Sequence, residues 1–277
     1  MAETKPIKRR YAFRPKKRLG QHFLKDTKTI HDIISRAGFD GSDQVLEVGA
    51  GLGALTFPLA EVVDKIIAVE KDSRLTDMLQ RRIARENIRN ITLINEDILQ
   101  SDIRRIIGSA EKKIKAIGNL PYNISSPFLE KLVTERSIVS RAVLMFQLEF
   151  ARRLIAPPGG REYGGITILT QYHARLSPLL EVSKEAFYPK PKVGSMVIEL
   201  DFEKPHPRRT EDEAKFKMIV KGAFAHRRKT LFNSLKGTLS SYSKEQILKA
   251  LGECAIESAR RAESLDIDDF LCLTSML

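Results

Sequence analysis

The sequence predicts an α/β fold in which a parallel, doubly wound sheet is followed by a small all-α region. Short apolar runs alternate with helical patterns, as strands and helices do in such a sheet. The runs lie near residues 44–48, 65–70, 91–95, 114–118 and 141–147. Every segment after a Pro- and Arg-rich linker at 204–209 has a helical pattern. With 277 residues, the chain is long enough for one large domain and one small one.

The remaining helices and strands are predicted from their patterns and from the residues that begin or end them. An amphipathic helix is expected from Asp26 to Ala37, where Gly38 stops it. A two-strand ending is expected at 179–182 and 195–200, on either side of a Pro-rich loop at 187–193. The helices of the C-terminal region are expected at 211–224, 230–237, 243–251 and 266–276.

The first half of the predicted sheet has the order of groups that binds a nucleoside. The first strand runs into the glycine-rich turn at 49–53, and glycines let the backbone turn tightly and approach a ligand. The second strand ends in Glu70, which is placed to accept hydrogen bonds from ribose hydroxyls. The third strand leads to Glu96 and Asp97, which can bind the adenine amine of a cofactor.

The glycine-rich turn alone leaves two cofactors open. Gly49-x-Gly51-x-x-Ala54 also satisfies the dinucleotide fingerprint, so an NAD(P) oxidoreductase is the rival interpretation. Glu47 precedes the first glycine, where a carboxylate opposes a pyrophosphate but favours a cationic, phosphate-free cofactor such as S-adenosylmethionine. A second motif, Asn119-Leu120-Pro121-Tyr122, has no obvious use in hydride transfer. The two motifs together favour a methyltransferase.

The motif Asn119-Leu120-Pro121-Tyr122 follows an apolar run, at the carboxyl end of a predicted strand. Ligands bind at that edge of open α/β sheets. The Asn119 oxygen and the carbonyl of Leu120 or Pro121 can accept hydrogen bonds from an adenine amine and localise its lone pair. Tyr122 can stack on the base, a contact worth about 1–3 kcal/mol. The simpler interpretation is a strand-to-helix turn, since Ser126-Pro127 suits a helix start.

Several motifs in this order resemble the KsgA-type rRNA adenine dimethyltransferases. They are RLGQHFL at 18–24, EVGAGLGALT at 47–56, Glu70, Glu96-Asp97, NLPYNIS at 119–125, EFARRL at 149–154, Tyr163-Gly164, FYPKPKV at 187–193 and the segment at 223–231. The resemblance runs from Arg18 to the last helix. The Erm methylases of large-subunit rRNA are the nearest cousins, and the segments at 119–125 and 224–231 favour the KsgA side.

The resemblance implies a Rossmann-like S-adenosylmethionine methyltransferase sheet with an antiparallel last strand. The implied substrate is a pair of adjacent adenines in a hairpin loop near the 3′ end of small-subunit (16S) rRNA, on an assembling subunit. The residues expected to hold the target base, between Tyr122 and Phe187, are Asn119, Leu120, Pro121, Tyr122 and Phe187. The expected cofactor contacts are Gln21, His22, Leu24, Gly49, Gly51, Glu70, Lys71, Asp97, Ile98 and Asn119.

The charge of the chain indicates a polyanionic partner. Net charge is +12 and the isoelectric point is near 9.7. Nine Lys and Arg and no acid lie between Lys5 and Lys25, and we expect this basic arm to contact RNA rather than to be solvated disorder. A mitochondrial transit peptide is disfavoured because the arm has no Ser and its prolines spoil an amphipathic helix. The expected RNA contacts are Lys16, Lys17 and Arg18 in the arm and Arg227, Arg228 and Lys229 in a C-terminal stripe. The alternative interpretation of this stripe is a solvated surface that binds nothing.

These observations predict three parts: a basic arm at 1–25, a methyltransferase domain at 26–204 and a helical RNA-binding domain at 210–277. We expect no metal, because the five His residues form no ligand cluster. Cys254 and Cys272 are expected to be reduced packing residues of a cytoplasmic, monomeric protein. A non-catalytic ribosome-assembly factor is the alternative from another functional class, and the intact motifs at 49–53 and 119–122 argue against it.

Overall fold

The computed structural model describes residues 15–16, 20–108 and 112–277. Its main sheet has seven strands in the order β4-β3-β2-β5-β6-β9-β7. They are β2 (Gln44–Val48), β3 (Lys65–Val69), β4 (Ile91–Ile94), β5 (Ile114–Asn119), β6 (Val139–Gln147), β7 (Arg175–Val182) and β9 (Ser195–Asp201). Strands β2 to β6 pair in parallel, whereas β9 runs antiparallel to both β6 and β7. The predicted doubly wound sheet and its antiparallel last strand are confirmed.

A second, two-stranded sheet joins the start of the chain to the Pro-rich loop. β1 (Phe23–Leu24) pairs antiparallel with β8 (Phe187–Tyr188). The backbone N–H of Lys25 extends this pairing by donating to the Ala186 carbonyl at 2.8 Å. The short sheet places residues 20–24 beside residues 187–193, although the two segments lie far apart in sequence.

Eleven helices lie on and beside the sheet within the described residues. They are α1 (Thr27–Ala37), α2 (Thr56–Ala60), α3 (Ser73–Arg85), α4 (Ile103–Ile107), α5 (Ser125–Thr134), α6 (Leu148–Leu154), α7 (Gly165–His173), α8 (Glu213–Phe224), α9 (Leu231–Thr238), α10 (Lys244–Glu253) and α11 (Ile267–Met276). Helix α1 begins after an Asp26 cap and ends at Gly38, as predicted. The pair α6 and α7, between β6 and β7, was not anticipated as helical.

Alternation along each strand divides the apolar side chains between two layers. In β2, Val45 packs with α1, α2 and α3, while the adjacent Leu46 packs with the layer that contains α4 and α5. Successive side chains of a strand point to opposite faces, so a strand covered by helices on both faces is apolar throughout. Both faces of the sheet are therefore buried, and the ligand-binding groups lie at its edge.

The C-terminal helices form an apolar core of their own. Helix α7 contributes to this core through Ile168 and Tyr172, together with Tyr163 before it, all of which are buried against α8 and its neighbours. The helical core therefore begins in sequence before the last strand of the sheet. Among the described residues, no helix has the length and hydropathy to cross a membrane.

The expectation that the two cysteines are reduced is wrong for this structure. Cys254, at the end of α10, and Cys272, within α11, form a disulfide with their Cα atoms 5.8 Å apart. The spacing of 18 residues gave no sign of this pair because the prediction weighed only local metal and redox motifs. Packing of α10 against α11 brings the two side chains together.

Candidate active site

The carboxyl ends of β2 and β5 meet at the point where the strand order reverses. The chain passes from β2 to β3 and β4 on one side, and returns to place β5 on the other side of β2. Ligands of open α/β sheets bind in the crevice at such a switch point. A cavity lies there, lined by residues 20–24, the glycine-rich turn, the ends of β3 and β4, and residues 119–124.

The glycine-rich turn is held to the end of β3 through Glu70. Gly51, whose φ is +60°, donates its N–H to Glu70 Oε2 at 2.9 Å. The other carboxylate oxygen accepts the N–H of Asp72 at 2.8 Å. Burial raises the pKa of Glu70, and these backbone donors oppose that effect. Glu70 is thus fixed at the cavity wall, with its remaining lone pairs available to a ribose.

Glu47 lies beneath the same turn and lines the cavity. Its side chain is buried, and its Oε2 has no hydrogen-bond partner within the described part of the chain. Burial raises the pKa of Glu47 to about 7, and the nearby Glu70 adds to the effect. A buried acid of this kind fits a cationic ligand, since a positive charge beside it would stabilise the carboxylate.

The end of β4 supplies a second acidic group to the cavity. Asp97 accepts a hydrogen bond from Lys71 Nζ at 2.6 Å and one from the N–H of Leu99 at 3.1 Å. Partial burial raises the pKa of Asp97, but these hydrogen bonds lower it more, and the net direction is downward. Glu96 is bonded by Arg105 through both oxygens and by Ser101 as well, whereas each oxygen of Asp97 accepts one bond, so Asp97 has more capacity left for an adenine contact.

Residues 20–24 line the cavity and are anchored by Asp72, a residue that the sequence analysis missed. Asp72 has a fully buried side chain that accepts hydrogen bonds from Lys16 Nζ at 3.0 Å and Gln21 Nε2 at 3.2 Å, as well as from Arg74. The Arg74 bond, then those of Lys16 and Gln21, hold the pKa of Asp72 far below its ordinary value. An Asp before a helix is a common N-cap, and that signal alone hinted at a structural role.

The motif at 119–122 forms a corner between β5 and α5. Asn119 lines the cavity and donates from Nδ2 to the carbonyl oxygen of His22 at 3.1 Å, which leaves its Oδ1 as an acceptor. The Pro121 carbonyl already accepts the N–H of Ile124 at 3.0 Å. The Leu120 carbonyl accepts no bond from the described residues.

Tyr122, the last residue of this corner, also lines the cavity. Its hydroxyl is 3.0 Å from Ser195 Oγ, at the start of β9, and its ring stacks beside His22. Partial burial raises the pKa of the Tyr122 hydroxyl. Ser195 is the second residue that sequence reasoning missed, and nothing in its local sequence distinguishes it. Helix α5 begins at Ser125, so the predicted start at Ser126-Pro127 lies one residue inside the helix.

The structure brings together all the predicted cofactor contacts and most of the predicted base contacts. Every residue in the predicted cofactor set lines the cavity, as do Leu120, Pro121 and Tyr122. Phe187 does not line it, because its side chain is 1% exposed and packs in the core. A base between Tyr122 and Phe187 therefore requires a rearrangement of β8.

The predicted RNA contacts have different surroundings. Lys17 and Arg18 lie outside the described residues, and Lys16 is paired with Asp72. The stripe at 227–229 is exposed in the connection between α8 and α9. Among the described residues, no three His, Cys, Asp or Glu side chains are grouped as a metal site.

The chain is similar over nearly its whole length to known proteins. The family model described as ribosomal RNA adenine dimethylase matches residues 12–277. A protein from Desulforapulum autotrophicum named "Ribosomal RNA small subunit methyltransferase A" is 42% identical over 95% of this chain and 92% of its own length. A protein of the same name from Geobacillus thermodenitrificans is 39% identical over 99% of this chain and 94% of its own.

Two solved structures share the whole architecture. A dimethyladenosine transferase from Plasmodium falciparum has a TM-score of 0.75 and 28% identity, covering 91% of this chain and 95% of its own. The 23S rRNA methyltransferase ErmE has a TM-score of 0.69 and 25% identity, covering 92% and 99%. The chain therefore belongs to the ribosomal RNA adenine dimethylase family and is an S-adenosylmethionine-dependent rRNA adenine dimethyltransferase.

Proposed function

We propose that this chain methylates N6 of two adjacent adenines in a hairpin loop near the 3′ end of small-subunit (16S) rRNA. The observation that carries the proposal is the corner at 119–122, which lines the cavity at the carboxyl edge of the sheet. The target subunit is inferred from relatives, since the small-subunit methyltransferases are 42% and 39% identical whereas ErmE is 25% identical.

The residues that line the cavity fit S-adenosylmethionine on grounds of charge and of close backbone approach at the glycine-rich turn. Glu70 would accept the ribose hydroxyls, Asp97 the adenine amine, and Gly49 and Gly51 allow close approach at the turn. Buried Glu47 suits the cationic end of the cofactor and disfavours a pyrophosphate. When bound, the cofactor supplies an electrophilic methyl group.

The corner would hold the target amine by two acceptors. We assign them to Asn119 Oδ1 and the Leu120 carbonyl, because the Asn119 amide nitrogen and the Pro121 carbonyl are already engaged. Two acceptors pull the amine hydrogens out of the plane of the ring, so that the nitrogen lone pair is no longer delocalised into the ring and becomes a better nucleophile. Tyr122 supplies the stacking face. Extrusion of the base from its stack costs a few kcal/mol, and less in a loop than in a duplex.

Catalysis in this site would depend on positioning and desolvation rather than on a strong base. The methylated amine is acidic and loses its proton to water. A second transfer requires the monomethylated amine to rotate and bind again at Asn119. Both transfers therefore depend on the same corner.

RNA binding is assigned to the basic arm at 1–25 and to the helical domain at 210–277. The exposed cations at 227–229 carry this assignment for the helical domain. Lys16 would first have to leave Asp72 to bind a phosphate. We place the enzyme in the cytoplasm as a monomer that acts on an assembling small subunit and contributes to its assembly.

The test is incubation with labelled S-adenosylmethionine and purified ribosomal subunits that lack the methylations, followed by nucleotide mapping. We expect label on two adjacent adenines of the small subunit. Label on the large subunit would indicate an Erm-type enzyme, and binding without label would indicate a pure assembly factor. Calorimetry should show binding of S-adenosylhomocysteine and none of NAD, whereas tight NAD binding alone would refute the methyltransferase assignment.

The role of Tyr122 has a matched pair of variants. Tyr122→Phe keeps the stacking ring and removes only the bond to Ser195, whereas Tyr122→Ala removes the stack. Because a stack is worth about 1–3 kcal/mol, single-turnover transfer should be roughly fivefold slower or more in the alanine variant, with a smaller effect in the phenylalanine variant. Unchanged transfer by Tyr122→Ala on a saturated complex would remove this residue from the mechanism.

A further inference from the structure

His22 lies where three separate parts of the site meet. Its imidazole Nδ1 is 2.7 Å from the carbonyl oxygen of Pro189. Its ring stacks beside Tyr122, with centroids 5.8 Å apart and planes inclined by 26°. Its backbone carbonyl accepts the hydrogen bond from Asn119 at 3.1 Å. One residue therefore contacts the loop at 187–193 and both polar ends of the corner at 119–122.

The contact with Pro189 decides which ring nitrogen carries the hydrogen. A carbonyl oxygen can only accept, so Nδ1 of His22 must donate. The bond holds the imidazole in one orientation, with its ring beside that of Tyr122. The Tyr122 side chain is therefore held at two points. His22 lies beside its ring, and Ser195 forms a hydrogen bond with its hydroxyl.

The backbone of His22 is held independently of its side chain. Phe23 pairs with Tyr188, and Leu24 pairs with Phe187. A substitution of the imidazole therefore leaves in place the carbonyl that accepts the bond from Asn119. What the substitution removes is the connection between Pro189 and Tyr122.

We propose that the His22 side chain is a positioning residue for methyl transfer, which holds the loop at 187–193 and the Tyr122 ring in fixed relation to each other for the target adenine. The inference rests on the proposed function, in which the adenine stacks on Tyr122. It separates the two parts of His22: the backbone belongs to the cofactor side of the site, and the imidazole acts on the base side.

Three substitutions of His22 distinguish this role from a general structural one. His22→Asn places an amide nitrogen on the same carbon that bears Nδ1, so it can still donate to Pro189. His22→Gln carries its amide one carbon further out and cannot replace that bond, although it is similar in size. His22→Ala removes the side chain. His31→Ala, on the exposed face of α1, is the matched histidine control.

The measurements are single-turnover transfer with saturating cofactor and subunits, S-adenosylhomocysteine affinity by calorimetry, and thermal unfolding. The alanine and glutamine variants should transfer about three- to tenfold more slowly, as expected when one neutral hydrogen bond is removed. The asparagine variant and the His31 control should transfer at close to the wild-type rate. Because His22 also lines the cavity, the cofactor affinity of each variant is measured separately, and the His31 control should bind with wild-type affinity.

Three results would overturn the inference while the wild-type enzyme is active. They are equal rates for His22→Asn and His22→Gln, wild-type rates in all three His22 variants, and a loss of transfer that disappears once the cofactor concentration is raised to saturate each variant. If wild-type protein transfers no methyl group to the subunits, the proposed function itself fails. The asparagine and glutamine pair keeps the test decisive even if the alanine variant does not fold.

Discussion

Removal of the buried acid at position 47 should change how the stability of the protein depends on pH. Glu47 is 2% exposed at the end of β2, and its burial raises the pKa to about 7 from an ordinary 4.5. Glu47→Gln keeps the size of the side chain and removes its titration. The ligand-free protein is the form in which this effect is measured, because a cationic ligand would compensate the charge.

The magnitude and sign follow from linkage. Below pH 4.5 the acid is protonated in both the folded and the unfolded chain, and its contribution to stability is fully present. As the pH rises, the unfolded chain loses its proton first, so the free energy of unfolding falls until the folded acid also ionises near pH 7. The raised pKa costs about 3 kcal/mol in total above that pH, of which roughly 2–3 kcal/mol is lost between about pH 5 and pH 8.

The assay is urea unfolding of wild type and Glu47→Gln at about pH 5 and pH 8. The variant should gain about 2–3 kcal/mol relative to wild type between the two pH values, whatever constant offset the amide introduces. Glu61→Gln, an exposed acid after α2, should give the same difference from wild type at both pH values. If the Glu47 difference is also the same at both, the buried carboxyl does not titrate as argued.

Three further predictions test other parts of the structure. Glu70→Gln should weaken S-adenosylhomocysteine binding by roughly 10- to 100-fold in calorimetry, since it removes a charged acceptor; unchanged affinity would remove Glu70 from the ribose site. Gly53→Ala should lower the free energy of unfolding by at least about 2 kcal/mol, because φ is +80° and a Cβ would lie 2.2 Å from Phe57. Gly38→Ala, at φ +58° with open space around it, measures the backbone cost alone and should be less destabilising. Replacing the cations at 227–229 with Ala should weaken subunit binding and flatten its salt dependence, by about 0.7–0.9 in log–log slope for each phosphate that the protein no longer neutralises, and an unchanged slope would mark them as a solvated face.

The strands were predictable because their signals are local. Each of β2 to β5 is a short apolar run that ends in a glycine, an acid or a polar motif, and those runs pack between the helical layers. Helices α6 and α7 had no such signal. Their apolar residues divide between two cores, since Leu154 packs with the sheet and Ile168 with the C-terminal helices.

The chemistry of the site can be predicted from the order of residues along the chain. Residue types at the ends of β2, β3, β4 and β5 identify a nucleoside edge, and the parallel order of those strands brings their carboxyl ends together whatever the conformation of the loops. The positions of these groups in the sequence are enough for this inference, because each group lies at or just after the end of its own strand.

The way in which these groups are held depends on contacts between distant parts of the chain. The pairing of β1 with β8 sets His22 against Pro189, and the packing of the end of β3 against the start of the chain sets Asp72 against Lys16 and Gln21. The tertiary structure also buries Phe187 and joins Cys254 to Cys272. Each of these contacts joins residues from different elements, and no local pattern encodes the distance between side chains that meet only when the chain is folded.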